Sequence, residues 1–161
     1  MQQELKIKIN NIPPLEENLN SLGAAFVEEQ TFADTYFNQP AGEVLKLGDN
    51  DKGFFFQSLK ATPDGKFTII KNNQIENFDQ VKAEMAREYG IKCVLKGKRR
   101  IYTVGADKII LNSIDGLGDF LILTGENPTE DFFVKKLGIQ NPEYIKVSFD
   151  TLQLTATNPT A

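Results

Sequence analysis

Polar and apolar residues alternate strictly at the start of the chain. From Gln3 to Ile9 (QELKIKI), Leu5, Ile7 and Ile9 fall on one face, and Gln2, Glu4, Lys6 and Lys8 share the other. A period of two marks a β-strand. The period then lengthens. Between Leu15 and Gln30, Leu15, Leu19, Leu22 and Phe26 recur at intervals of three and four, which predicts a helix. Short strand-like runs follow at Asp34 to Asn38, Val44 to Leu47, Phe54 to Lys60 and Lys66 to Lys71. Turn signals such as Pro40-Ala41-Gly42 and Pro63-Asp64-Gly65 separate them.

A second helix is well marked. Asn77 is placed to cap it, Gln80 completes a capping-box pattern, and Phe78, Val81, Met85 and Tyr89 form its apolar stripe. Gly90 is its expected stop. Four more strands are predicted at Lys92 to Leu95, Lys98 to Val104, Lys108 to Asn112 and Asp119 to Leu123. Two short helices close the chain, one starting near Asn127 and stopping at Gly138, the other starting at Asn141-Pro142. The expected organisation is one α+β domain over residues 1–154 and a polar tail over 155–161.

Eight or nine short strands with few helices suggest a meandering antiparallel sheet, and closing it into a barrel would remove its exposed edges. Charged residues alternate with aliphatic ones along these strands. A barrel with a polar interior and helices packed outside accounts for that pattern. A sandwich with one solvated face accounts for it too, and periodicity alone favours the sandwich.

Composition narrows the chemistry. A chain of 161 residues, 40% hydrophobic and 25% charged, suits a single globular domain. No run approaches the roughly 18 apolar residues of a membrane span, and Met1-Gln2-Gln3-Glu4 is too polar to open a signal peptide. The single cysteine, Cys93, permits no internal disulfide and suits a reducing cytoplasm; a small buried apolar role is expected for it. The chain contains no histidine. Ser-His and Cys-His catalysis and histidine-bearing zinc sites are therefore excluded, leaving carboxylates, lysines and tyrosines for acid–base work. A formal charge of −4 argues against nucleic acid as a partner.

Several segments together resemble the CYTH family, the triphosphate-tunnel fold of class IV adenylate cyclases and thiamine triphosphatases. Gln2-Gln3-Glu4-Leu5-Lys6 stands where that family opens with ExExK. Asp34-Thr35-Tyr36-Phe37-Asn38 is similar to its DTYFN strand, and Leu45-Lys46-Leu47-Gly48 to its LKLR or LRIR strand. Lys98-Arg99-Arg100-Ile101-Tyr102 resembles a KxRxxY-like strand, and Leu111 to Phe120 (LNSIDGLGDF) resembles LDEVEGLGDF. The closing Leu137-Gly138-Ile139 and Tyr144 to Phe149 resemble the LGI…SY ending of the cyclase-like branch. The resemblance spans nearly the whole chain and tips the choice toward an eight-stranded antiparallel β-barrel, a tunnel with flanking helices. In the family, acidic residues hold two magnesium or manganese ions, basic residues grip a triphosphate, and phosphorus is attacked by water or a ribose hydroxyl.

This sequence departs from that pattern at its acids. The first glutamate of ExExK is Gln2, leaving Glu4; the aspartate of LDEVEG is Asn112; the glutamates of GLGDFxExE fall on Ile122 and Thr124. By strand parity Ile110, Asn112, Phe120, Ile122 and Thr124 should face the tunnel, giving it a largely apolar wall. On the basic side Lys6, Lys46 and Arg99 match, Gly48 replaces an arginine, Lys60 matches loosely, and Lys8, Lys98 and Arg100 are further candidates or plain surface. The leading expectation is therefore a degenerate domain, catalytically weak or inactive, that binds an anionic or triphosphate-bearing small molecule through Lys6, Lys46, Arg99, Lys60 and Lys8 with no cofactor.

The alternative is an active enzyme with Glu4 as a magnesium or manganese ligand, supported by further carboxylates such as Glu43 and Asp49. A third reading is a protein-binding module with a tunnel filled by Phe120 and Ile122. Other features carry less. Gly116-Leu117-Gly118-Asp119 lacks the strand-to-helix setting of a phosphate loop and reads as a turn. Phe54-Phe55-Phe56 is either a partner surface or a helix-covered face, and Glu126, Glu130 and Asp131 group at a helix start, with replacement metal ligation as the other option. The basic run Lys96 to Arg100 is too short to indicate nucleic acid.

Overall fold

The computed structural model describes residues 1–157, so residues 158–161 of the expected tail lie outside it. Its frame is a closed antiparallel barrel of eight strands. In chain order these are β1 (Gln3–Ile9), β2 (Ala25–Phe37), β3 (Glu43–Asn50), β4 (Gly53–Ala61), β5 (Phe67–Ile75), β6 (Ile91–Val104), β7 (Asp107–Ile114) and β8 (Gly118–Gly125). Neighbours run β5-β4-β3-β2-β6-β7-β8-β1, and pairing of β1 with β5 shuts the ring. That last seam is short: Gln3 faces Thr68, Glu4 faces Phe67, and the Ile69 amide donates to the Gln2 carbonyl at 2.9 Å. Farther along, β1 instead pairs with a two-residue strand, β9 (Glu143–Tyr144). Closure removes the sandwich as an option, because a sandwich keeps the free edges that this seam eliminates.

Among the described residues three helices accompany the barrel: α1 (Ile12–Ser21), α2 (Phe78–Tyr89) and α3 (Phe149–Thr157), with a π-helical turn at Phe132–Lys136. Helix α1 is shorter than the apolar stripe predicted. Leu15 and Leu19 are buried as expected, but Gly23 adopts φ 81° and the chain turns into β2. Phe26 then lies on a strand, opposite Tyr102 with the rings edge to face at 5.4 Å. The intervals of three and four crossed a helix–strand boundary that the left-handed glycine makes.

Other boundaries moved for physical reasons. The two strands expected at Lys92 to Leu95 and Lys98 to Val104 are one strand, β6. Gly97 does not break it; a Cβ there would overlap the Ser113 carbonyl oxygen of β7, so glycine permits close pairing. The capping box at Asn77 does not form, for Asn77 sits at φ 54° with no side-chain cap, and Gln80 donates to Glu84 at 3.4 Å. Gly90 does end α2, at φ 81°. Asn141-Pro142 leads into β9, and the last helix begins only at Phe149, continuing into the segment expected to be tail.

Three apolar clusters hold these parts together. The first lies between the barrel wall and α1 with the π-helical turn, uniting Leu5, Ile7, Leu19, Leu121 and Phe133. The second is outside β3 and β4, where α2 brings Phe78, Val81 and Met85 onto Phe37, Leu47 and Phe56. Of the three consecutive phenylalanines, Phe54 also stacks on Phe78 at 4.4 Å, so α2 covers that face. The remaining cluster is inside the barrel. Phe32, Phe67, Leu95, Ile114, Phe120 and Ile122 pack there against Ile145 and Phe149. Helix α3 therefore stops one end, with Phe149 4.9 Å from Phe120, and leaves a cup open at the other.

Candidate functional site

Inward residues of all eight strands, with Ser148 and Phe149, line a cavity of about 600 Å³ inside the barrel, a volume suited to a small molecule. Strand parity decides who enters. Gln2 precedes β1, which contributes Glu4 and Lys6; β2 contributes Glu28, Gln30, Phe32, Asp34 and Tyr36; β3 contributes Val44, Lys46, Gly48 and Asn50. Five cationic side chains (Lys6, Lys46, Lys52, Arg99 and Lys108) and three anionic ones (Glu4, Glu28 and Asp34) border it.

The innermost charges form one group. Asp34 Oδ2 accepts from Lys46 Nζ at 3.3 Å and from an Arg99 terminal nitrogen at 3.2 Å, and Asp34 is only 5% exposed. One carboxylate thus faces two cations and leaves them net positive. The Arg99 guanidinium lies 3.9 Å over the Phe32 ring, and its Nε has no hydrogen-bond partner. Lys46 also stands 5.4 Å from the Tyr36 ring. Burial depresses its ammonium, while the Asp34 carboxylate favours the charged form. Burial pushes the Tyr36 phenol upward, so it stays neutral. Gly48 has a positional reason here: a Cβ would stand 3.1 Å from Asp34 Oδ1, leaving no comfortable room for the arginine that the resemblance anticipates.

Lys6 is different. It is 4% exposed, donates to the Val147 carbonyl at 3.0 Å, and lies 4.2 and 4.4 Å from the Phe67 and Phe149 ring centres. Burial lowers its pKa to about 8, with Glu4 pulling the other way. The remaining basic candidates separate from it. Lys8 lies 4.7 Å from the Phe120 ring centre, beside Gly118 and beyond the apolar stopper. β4 turns Phe55, Gln57 and Leu59 inward, so Lys60 is exposed outside the cavity opposite Glu43. Arg100 faces away from Arg99, pinned to Glu16 at 2.7 Å and Glu29 at 2.5 Å on the outer wall.

The carboxylate inventory can be tested against a two-cation site. Asn112, Ile122 and Thr124 all border the cavity, at the positions where the resemblance puts acids. Among the three acids that do border it, Asp34 is engaged by Lys46 and Arg99, and Glu28 by Lys52 at 3.3 Å and Gln30 at 2.6 Å. Glu43 and Asp49 are exposed on the outward face of β3 and do not converge with Glu4. Glu126 accepts from Gln2 and the N-terminal amine, Glu130 from Tyr144, and Asp131 pairs with Lys135. No group of three acids or other metal-ligating side chains assembles among the described residues. Small divalent ions need several oxygen ligands, most of them charged. The residues present do not fit a pair of such ions.

Four cavity charges were missed by the sequence reading, and Asp34 among them was noted only as the first residue of a strand that resembles DTYFN. Glu28 fell inside the presumed helix, and Lys52 sits in a turn where alternation gives no guide. Lys108 was within reach, since it shares parity with Ile110 and Asn112 on β7. The parity argument itself held: Ile110, Asn112, Ile122 and Thr124 border the cavity, and Phe120 packs in the interior cluster below it.

No protein-family model matches the chain. It is 27% identical over 134 residues to the putative adenylate cyclase MJ0240 of Methanocaldococcus jannaschii, covering 76% of this chain and 75% of that protein. In structure it is similar to the PH1012 protein of Pyrococcus horikoshii, with a TM-score of 0.83 at 18% identity, covering 94% of this chain and 99% of the other. It is also similar to a putative adenylyl cyclase from Hippeastrum with a dominant triphosphatase activity, at a TM-score of 0.65 and 13% identity, covering 96% of both chains. Barrel closure, strand order and these likenesses agree: the chain has the tunnel fold of the CYTH-type, adenylate cyclase-like proteins.

Proposed function

We propose that this chain is a degenerate CYTH-like domain, catalytically weak or inactive, which binds a phosphate-bearing or other small anion in its basic cup without a divalent ion. The observation that carries it is the sharing of Asp34 by Lys46 and Arg99, with the Arg99 Nε unpartnered beside it. Two cations held rigidly by one acid retain a net positive charge, and an incoming oxyanion would meet preorganised charge-assisted donors. Lys6 adds a further cation on the neighbouring wall when protonated. An acidic chain of this kind has no use for nucleic acid, and Cys93 suits a cytoplasmic setting. No helix among the described residues is long and apolar enough to cross a membrane.

The test is a thermal-shift titration with orthophosphate and tripolyphosphate in the presence of a chelator. Binding should raise the melting temperature without added metal, and the Arg99→Met variant should lose the shift. Stabilisation that appears only after magnesium is restored would overturn the proposal.

A second reading, a metal-dependent triphosphatase or adenylate cyclase, has one supporting observation. Glu4 borders the cavity opposite Thr124 on the adjoining strand, and the buried oxygens Thr124 Oγ1 and Asn112 Oδ1 have no hydrogen-bond partner. Manganese-dependent phosphate release from a triphosphate, lost in Glu4→Gln, would favour it.

A further inference from the structure

On either side of the cationic group the cavity wall has a different chemistry. Across β6 and β8 it is closed by Ile101 and Ile122, both buried. Across β3, β4 and β5 it is lined by amides. Lys46 pairs in register with Gln57, and Gln57 with Asn72, and all three border the cavity. Register partners stand about 5 Å apart at Cβ, so the row leads from the anion site toward solvent. Gln57 is half-buried and Asn72 exposed. Among the described residues neither side chain makes a hydrogen bond. Beside this row Gly48 faces Phe55, and its missing Cβ keeps open the space between Asp34 and Phe55.

Charge limits the head of a ligand. Lys52 is paired with Glu28 at 3.3 Å, and Lys46 and Arg99 share Asp34. The inner group therefore keeps one uncompensated positive charge, while Lys6 on the next wall is opposed by Glu4. A head of one or two negative charges is matched. The several charges of a free triphosphate would be desolvated without enough partners.

Resting on the anion-binding reading above, we infer that the ligand is a phosphate monoester of a small hydroxylated body, a sugar phosphate: Lys46 and Arg99 hold the phosphate, and Gln57 and Asn72 bind the hydroxyls. An amide side chain both donates and accepts, as a hydroxyl does, so two unengaged amides side by side serve neighbouring hydroxyls of one ligand. An apolar body in the same place would displace their water without replacing its hydrogen bonds.

Calorimetric titration of the full chain in chelator tests this, with methyl phosphate, the terminal phosphate esters of ribose and glucose, and tripolyphosphate. The two sugar esters should bind about tenfold tighter than methyl phosphate, the worth of one or two net hydrogen bonds. Tripolyphosphate should bind no tighter than methyl phosphate. Gln57→Leu and Asn72→Ala should each bring the sugar esters toward the affinity of methyl phosphate. Asn73→Ala, on the outward face of β5 opposite Phe56, should change nothing. Equal affinity for all three monoesters would sink the sugar inference and leave the anion site standing. Tripolyphosphate binding tenfold tighter than the sugar esters would do the same. So would adenosine monophosphate binding tenfold tighter than the ribose ester, which would give the amides to a base. If no anion binds, orthophosphate included, both readings fail.

Discussion

The Lys6 ammonium lies 4.4 Å from the centre of the Phe149 ring, joining the first strand of the barrel to its last helix. The contact sits where the polar cup meets the apolar stopper. Helix α3 contributes a hydrophobic face, and β1 contributes a cation whose only direct hydrogen bond among those described is to the Val147 carbonyl. Burying an ammonium with no carboxylate at contact distance disfavours its charged form.

That arrangement has a pH signature. The folded-state pKa of Lys6 is lowered to about 8 from 10.5, chiefly by burial. Between those values the unfolded chain binds more protons than the folded one, so this residue's contribution makes stability rise with pH across that window. The penalty is complete below about pH 8 and relieved above the unfolded value. Urea unfolding from pH 7 to 10.5 should show the rise in the native chain and a flatter profile in Lys6→Met. Anion binding has the opposite dependence, because it favours protonated Lys6. Calorimetry near pH 8 in buffers of differing ionisation heat should therefore detect proton uptake on binding.

Asp34→Asn removes the one acid between two cations. The Lys46 and Arg99 side chains retain 18% and 17% exposure, so the loss should be about 3 kcal/mol, near the low end for a broken buried pair. Denaturant titration measures it. Added phosphate should restore stability more in this variant than in the native chain, since the anion replaces the missing charge. Equal rescue of both would show that phosphate does not reach Lys46 and Arg99.

Arg99 and Arg100 are adjacent in sequence and opposite in place. Arg99→Met should weaken anion binding at least tenfold, the loss of a charge-assisted contact of roughly 1.5–3 kcal/mol. Arg100→Met should leave binding within twofold while loosening the outer cluster in which Glu16 accepts from both Arg100 and Tyr102. Matched titrations of the two variants separate a cavity residue from a wall residue.

Much of this was legible in the sequence where the cause was local. Strict alternation placed β1 residue for residue from Gln3 to Ile9, parity sent Asn112 inward, and the family resemblance pointed Lys6 to the pocket. Long-range pairing was not legible. Nothing local shows that Gly97 lets one strand run from Ile91 to Val104 against β7, or that Phe149 folds back over Phe120 to stop the barrel. The stopper turned a presumed open tunnel into a cup. Glu28 was lost for a related reason: an apolar repeat from Leu15 to Phe26 spans two elements, and only Gly23 marks the change.

Manganese titration followed by electron paramagnetic resonance addresses the account most directly. With Asp34 and Glu28 engaged by cations and Ile122 and Thr124 in place of acids, the cup should bind no manganese pair, and free-ion signal should rise linearly from the first addition. Two ions bound per chain at micromolar concentration, with binding lost in Glu4→Gln, would contradict it.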